Sequence, residues 1–535
     1  MTETRTATSG PGSGNPSPAS GASPASGPSP ASGPRPPRGA RNRRLALAVI
    51  CVGTMMAFVN VSSTIGALAR IQADLHSSPT AIVWITSAYS LVVASLILAA
   101  GTLSDVIGRR LVFGLGVGFF IVGSAAAASA GSTGLLIAAQ AVIGVGGALL
   151  LPSGLSIVSH EFSDPRQRTE AVSVWAGSSG LGLAIGPVGS GAILSHHSWH
   201  AIFTINIVLG ALALAGTVLF IPDSRHPGRR LDPVGLILGT ITVAALTFGI
   251  IEGKTLGYAS PGILSSYAVA AICLAAFVAY EARHPDPMID VRLFRSASFS
   301  AVMAVATTAM IGFTGTALMV VLYLQHVQGL TPLGAGVRAL MMFVPFITVS
   351  AVAGRIVHRV GFKVILTAGL LAMAVGAFAL LGTQAGPGFA HVWPGLLIVG
   401  IGAGLLIAPS TAAAVISVPP TQAGMASSVV NMFRQLGNVL GASVLGTILT
   451  SKFADNLSTD LTSRKLPAPV VDQIVTGAKH GGGASGLPAS LAGMVGDAVR
   501  HSFNDAFHTG LVVAGVFVLV VAVPTVLLVR QRPSH

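Results

Sequence analysis

The sequence predicts an all-α polytopic membrane protein. Three observations carry that expectation. Hydrophobic residues make up 52% of the 535-residue chain and charged residues only 9%, against about 25% charged in an ordinary soluble domain, and the mean hydropathy is +0.77. The apolar residues gather into about fourteen runs, each near the roughly 20 residues a helix needs to cross a bilayer at ~1.5 Å per residue. The runs show no alternating pattern of a barrel. Backbone groups in lipid must then be satisfied within each segment, so helices are the expected elements.

Taken in order, residues 1–44 form a Pro-Ala-Ser-Gly-rich tail that cannot bury a core and ends in the bases Arg35, Arg38, Arg41, Arg43 and Arg44. No apolar region precedes a cleavage site in it, so it does not read as a signal peptide. The expected spans are 45–67, 81–100, 111–131, 133–157, 170–194, 200–221, 234–252, 262–281, 299–324, 332–353, 362–382, 393–416, 425–449 and 509–530. They predict two bundles, 45–221 and 299–530, joined by a linker, 222–298, that holds two extra spans, with 531–535 as a short tail. Residues 451–508 form one long extracellular loop between the last two spans, read as a solvated insertion with an amphipathic helix near its end or, alternatively, as a substrate lid.

Basic residues set the orientation. Arg109 and Arg110, Arg166 and Arg168, Arg225, Arg229 and Arg230, Arg283, Arg292 and Arg295, and Arg355, Arg359 and Lys363 all fall in loops on one side, with the basic tail, Arg530 and Arg532. The short loops of the other side offer little beyond Arg70 and Lys254. The positive-inside rule puts both termini in the cytoplasm of a cell-membrane protein. The formal charge of +13 suggests no nucleic-acid partner, because the bases lie in short loops rather than on one basic face. Cys51 and Cys273 sit inside apolar runs and imply packing, not a disulfide framework or a metal site. No metal cluster, nucleophile elbow or phosphate loop is visible, so neither an enzyme, a cofactor nor direct ATP drive is expected.

Three glycine-rich polar clusters exceed what a bare bundle needs. GTLSDVIGRR (101–110) joins the second and third spans, with Gly101 and Gly108 permitting reversal and close approach and Asp105 facing Arg109 and Arg110. GLGLAIGPVGSG (180–191) puts Gly182, Gly186, Pro187 and Gly191 in the fifth span, as a packing face, a flexible seam, or both. GMASSVVNMFRQLGNVLGASVLG (424–446) places Arg434 inside an apolar span, where it should face protein, water or substrate.

On these motifs the chain resembles the major facilitator superfamily, and more narrowly its 14-span drug:proton antiporters. The 101–110 turn is similar to that family's loop between spans two and three. GRIVHRVGFK (354–363) looks like a degenerate second copy, with His358 where the acid would be. The fifth-span cluster resembles the antiporter signature, with Ser190 at a position usually glycine. YLQHVQGLTPLGAG (323–336) and the Asn431, Arg434, Gln435, Gly437 pattern also look like this subfamily. The resemblance covers residues 45–530. It implies the major facilitator fold, two six-helix bundles plus two linker transmembrane helices, around a central cavity with alternating access. It implies a conformational latch at Gly101, Asp105, Gly108, Arg109 and Arg110, and a seam at Gly182, Gly186, Pro187 and Gly191. Cavity groups are expected at Asn60, Gln140, Trp175, Asn206, Asn431 and Arg434.

The chain departs from that family where charge is usual. VNVSSTIGALARIQADL (59–75) puts Asn60 at the family's first-span acid, and QAVIGVGGA (140–148) puts Gln140 at its fourth-span arginine. Losing one charge of a buried pair costs roughly 3–5 kcal/mol, whereas two amides still hydrogen-bond. Either the two were neutralised together, or both are simply polar cavity residues. If a proton drives transport, the remaining titratable candidates are Asp105, Glu170, Glu252 or a histidine. Arg434, with Arg338, favours neutral, zwitterionic or anionic substrates. The expected function is export of hydrophobic or amphipathic small molecules such as a drug, antibiotic or natural product, by a monomer in a lipid bilayer, with a proton or another ion as candidate driver. Uniport, uptake or lipid-type transport, and a transport-inactive sensor or scaffold, are the alternatives.

Overall fold

The computed structural model describes residues 40–162, 164–223, 232–285, 287–386, 388–418, 423–479 and 489–529. The tail with Arg35 and Arg38, the loop with Arg225, Arg229 and Arg230, the GGGASGLP stretch (481–488), Arg530 and Arg532 lie outside the described residues, as do the side chains of Arg166, Lys254 and His358.

The elements are all helical among the described residues. The first bundle runs α1 (Ala40–Leu75), α2 (Pro79–Ile107), α3 (Arg109–Ala128), α4 (Thr133–Glu161), α5 (Pro165–Leu194) and α6 (Ala201–Phe220). A linker pair follows, α7 (Pro233–Leu256) and α8 (Pro261–Glu281). The second bundle holds α9 (Ala297–His326), α10 (Pro332–Val360), α11 (Phe362–Ala379), α12 (Trp393–Ile416), α13 (Ala423–Leu440), α14 (Gly446–Ser463), α15 (Ala468–Lys479) and α16 (Ala489–Leu528). Helix starts are written locally. Ser78, Asp232, Ser260 and Thr331 each precede a proline and accept a hydrogen bond from the amide three residues on, so an oxygen cap and a residue preset for the first turn act together.

Thirteen of the helices are long and apolar enough to cross a membrane among the described residues. The remaining expected span, 425–449, is α13 continued through a π-helical turn, Gly441–Leu445, into α14. Its run of Asn431, Arg434, Gln435 and Asn438 makes one face polar, which lowers its hydropathy without shortening it. Fourteen helical passages therefore correspond to the fourteen expected runs. The 451–508 stretch is mostly helix rather than open loop: α14 continues to Ser463, α15 follows, and α16 begins at Ala489. Val471, Ile474, Val475 and Val495 are buried, so this stretch packs on itself and on the bundle.

The helix pairings repeat. In the first bundle α3 packs on α4, α2 on α4 and α3 on α6; in the second α11 packs on α12, α10 on α12 and α11 on α16. The bundles exchange equivalent contacts across their seam, α5 against α10 and α13 against α2. That reciprocity is the signature of a pseudo-two-fold repeat. The linker helices pair with each other, and α7 leans on α2. Exposure ranks the layers: 89% of the apolar window of α9 is buried, against 11% in α8. So α9 is central, and α8 turns nearly all of its apolar surface outward, as a lipid-facing helix does.

Candidate functional site

The α2–α3 turn comes first because backbone geometry dictates it. Gly108 joins the helices at φ +118, a conformation side-chain-bearing residues rarely adopt. Gly361 does the same between α10 and α11 at φ +85, in the degenerate copy of the motif. Asp105, in the last turn of α2, accepts from Arg109 Nη2 at 3.1 Å and Nε at 3.3 Å. Arg110 Nη2 donates to the carbonyl of Val218 at 2.9 Å and so fastens α3 to the end of α6. Gly101 lies within α2, and a side chain there would meet Pro152 only at ordinary contact, 3.8 Å. It contributes neither to the reversal nor to a close approach.

The α5 motif packs on two helices at once. A Cβ on Gly182 would stand 2.6 Å from the Met55 carbonyl, and one on Gly186 would collide with Ser62. Both therefore let α5 lie against the α1 backbone, and Ser62 Oγ adds a 3.3 Å bond to the Gly182 carbonyl. Gly191 abuts Pro332 and Leu333 of α10, and Gly336 of α10 abuts the Pro187 carbonyl. Nearby, Gln325 Nε2 donates to the Gly66 carbonyl at 2.9 Å, and Ser87 and Ser443 hydroxyls lie 3.1 Å apart. These contacts across the seam gather at the end of the protein where α1 finishes and α10 begins.

The candidate cavity residues resolve into two separate constellations. In the first bundle Asn60 Nδ2 donates to Gln140 Oε1 at 3.1 Å, Asn206 Nδ2 donates to Asn60 Oδ1 at 3.1 Å, and Gln140 Nε2 donates to Thr64 Oγ1 at 3.1 Å. All four residues are buried. They link α1, α4 and α6 through neutral groups alone, and Asn206 Oδ1 has no donor of its own. Neutral amides buried and mutually bonded avoid the desolvation penalty an ion would carry here. Thr64 was not expected. Its signal is position, one helical turn after Asn60 on the same face.

In the second bundle Arg434 is ringed by neutral acceptors. Its Nη1 reaches Asn431 Oδ1 at 3.3 Å, and its Nη2 reaches Ser410 Oγ at 3.0 Å, Thr411 Oγ1 at 2.6 Å and the Ile407 carbonyl. Its Nε is buried with no partner, and no ion pair to Arg434 occurs among the described residues. The guanidinium thus keeps an unspent donor and its full charge. Ser410 and Thr411 were missed; they form the only adjacent hydroxyl pair in the apolar run of α12. Trp175 joins neither constellation. Its Nε1 is buried without a partner, near Gly154. Among the described residues, no group of three or more His, Cys, Asp or Glu is arranged to hold a metal.

Two six-helix bundles related by a repeat, meeting along a small-residue seam and each enclosing a buried polar centre, define a membrane transporter and not an enzyme. The chain belongs to the Major Facilitator Superfamily, whose family model matches residues 50–442. It is similar to the multidrug resistance protein Stp of Mycobacterium tuberculosis, 32% identical over 80% of each chain. It is also similar to the tetracenomycin C resistance and export protein of Streptomyces glaucescens, 30% identical over 91% of this chain and 92% of the relative. The methylenomycin A resistance protein of Streptomyces coelicolor is 33% identical over 76% and 85%. In fold it is similar to a bacterial homologue of the human lysosomal transporter Spinster solved inward-facing and unoccupied, at TM-score 0.65 and 14% identity over 93% of this chain and all of that one.

Proposed function

We propose that this protein exports hydrophobic or amphipathic small molecules, antibiotic-like or natural products, by rocking its two bundles about the α5–α10 and α2–α13 seams. Relatives covering most of the chain are named for drug and antibiotic resistance and export, and transport between two bundles is the mechanism the fold supports. The observation that carries the substrate reading is Arg434, a half-buried guanidinium with neutral partners and a buried, free Nε. Paired with an amide network where the family commonly has an acid, it favours neutral, zwitterionic or anionic cargo over cations. In this reading both termini are cytoplasmic in a cell-membrane monomer. Gly108, Asp105, Arg109 and Arg110 then form the cytoplasmic latch, while Gly182, Gly186, Pro187 and Gly191 form the packing seam.

Energy-independent uniport or lipid-type transport is the second reading, favoured by the neutrality of the Asn60–Gln140–Asn206 network. An efflux screen in a pump-deficient host, run with and without an uncoupler, decides. Uncoupler-sensitive loss of anionic or neutral compounds from cells supports export. Accumulation down the gradient, unaffected by the uncoupler, supports uniport. Strong export of ethidium-like cations would overturn the substrate reading.

A further inference from the structure

The base of the linker pair holds two acids that neither constellation uses. Asp232 caps α7, its Oδ1 accepting from the Gly235 amide at 2.9 Å. Glu281 ends α8, its Oε2 accepting from the Ile289 amide at 3.3 Å. Asp232 is 4% exposed and Glu281 2%. Each carboxyl is therefore anchored by one oxygen and presents the other, Asp232 Oδ2 and Glu281 Oε1, buried and without a hydrogen-bond donor. Both free oxygens lie 2.5 Å from the point where a Cβ on Gly235 would sit, so they are within roughly 5 Å of each other. Only a glycine leaves that pocket open.

Two carboxylates so close in a buried pocket resist carrying charge together, because each disfavours the charge of the other. The surrounding groups do not neutralise them. The Tyr280 hydroxyl donates to Asp232 and the Met288 amide to Glu281, both neutral groups, and the Tyr280 ring neighbours that of His284 at 5.2 Å. Arg283 is exposed and bonds the Ala279 carbonyl. Arg292 and Arg295 lie in the short 3-10 turn, Val291–Arg295. Asp290 engages the Arg292 amide. Arg225, His226, Arg229 and Arg230 precede Asp232 in sequence, outside the described residues. No ion pair to Asp232 or Glu281 occurs among the described residues.

We propose that Asp232 and Glu281 form a proton-binding site at the base of the linker helices, whose occupancy loosens the linker from α13. The bound proton sits between Asp232 Oδ2 and Glu281 Oε1 as a carboxylic acid–carboxylate hydrogen bond, leaving one negative charge on the pair. The mechanical link is short. Glu281 holds the Ile289 amide, and the next amide, Asp290, donates to Met425 Sδ at 3.4 Å. Met425 begins the helix that carries Arg434. The Ile289 amide bonds the ionised carboxyl more strongly than the neutral one, so gaining the proton weakens the hold of Glu281 on Ile289 and frees the start of α13, while losing it tightens that hold. The site is filled at low pH and empties as pH rises, so this attachment strengthens in the alkaline direction. The inference stands apart from what cargo the protein carries.

The test needs no substrate. The protein in liposomes is titrated by infrared spectroscopy from about pH 6 to about pH 9, following the carbonyl stretch of a neutral buried carboxyl. The wild type should lose a carboxyl band across this range, and Glu281→Gln and Asp232→Asn should each lack it. Asn still caps α7, so the second variant guards against misfolding in the first. In parallel, hydrogen exchange of residues 289–295 and 425–429, corrected for intrinsic base catalysis, is compared at both ends of the range. Protection in the wild type should rise with pH about fivefold or more relative to Glu281→Gln, the lower end of ordinary coupling between sites. A carboxyl band that persists in both variants, or protection that varies with pH equally in wild type and Glu281→Gln, would overturn the proposal.

Discussion

Restoring the missing acid should damage this protein unless its partner is restored too. In Asn60→Asp, a carboxylate oxygen replaces the Nδ2 that donates to Gln140 Oε1 at 3.1 Å, so two acceptors face each other. Gln140 can turn its amide round, donating Nε2 to the new carboxylate while the Thr64 hydroxyl, 3.1 Å away, donates to its oxygen, and Asn206 supplies a further donor, but none of these groups carries a counter-charge. An ionised carboxyl in that pocket is uncompensated and costs roughly 3–5 kcal/mol. A protonated one costs about 1–3 kcal/mol for the displaced bonds. The loss should therefore grow as pH rises. Gln140→Arg alone should be milder, because the oxygens of Asn60 and Thr64 and the undonated Asn206 Oδ1 are there to accept. Together the two substitutions place opposite charges near 4 Å, an attraction of about 4 kcal/mol at an effective dielectric near 20. A double-mutant cycle measured by unfolding in detergent should then give a coupling of about 3 kcal/mol, with most of the single-variant loss recovered. Additivity within about 0.5 kcal/mol would refute the view that Asn60 and Gln140 behave as a unit.

Three further outcomes follow from the same contacts. Asp105→Asn removes a partly exposed ion pair, worth about 0–1 kcal/mol; stability should barely move, while transport in vesicles falls because the two access states lose their balance. Equal transport would dismiss the latch. Gly186→Ala forces a methyl into Ser62 and should cost about 1–3 kcal/mol, with Gly186→Ala/Ser62→Ala recovering part of it in thermal unfolding. Arg434→Met replaces a half-buried charge that has no ion-pair partner among the described residues by an apolar side chain of similar length, so stability should hold or rise. Efflux of anionic compounds should nonetheless be lost, and retained efflux would remove Arg434 from the site.

Much of the architecture was legible because lipid constrains it so strongly. Each long apolar run corresponds to a helix, and the cap-proline starts at Ser78, Asp232, Ser260 and Thr331 mark where several begin. The least apolar of the runs, 425–449, owes this to a feature also written in the sequence, its polar face around Arg434. The 451–508 insertion was harder. Its helices bury Val471, Ile474 and Val495 as α15 and α16 pack on α14, and a solvated reading follows naturally when that packing is unknown. The pairing of Asn60 with Gln140 came from charge logic between distant helices. Thr64, Ser410, Thr411 and the Asp232–Glu281 pair did not, because a hydroxyl or an acid at a helix end looks ordinary until folding supplies its partner.

The π-helical turn at Gly441–Leu445 has a further implication for Arg434. A turn with one surplus residue is the helical analogue of a dislocation in a crystal. It carries a phase offset of about 100° between the segments on either side. Such a defect travels by trading one set of backbone hydrogen bonds for the next, at little net cost. If it slid toward the start of α13, every residue it passed would be rotated by that angle about an unmoved axis. The guanidinium could then be re-aimed, from its ring of hydroxyls to a different quarter of the bundle, without tilting a helix at all.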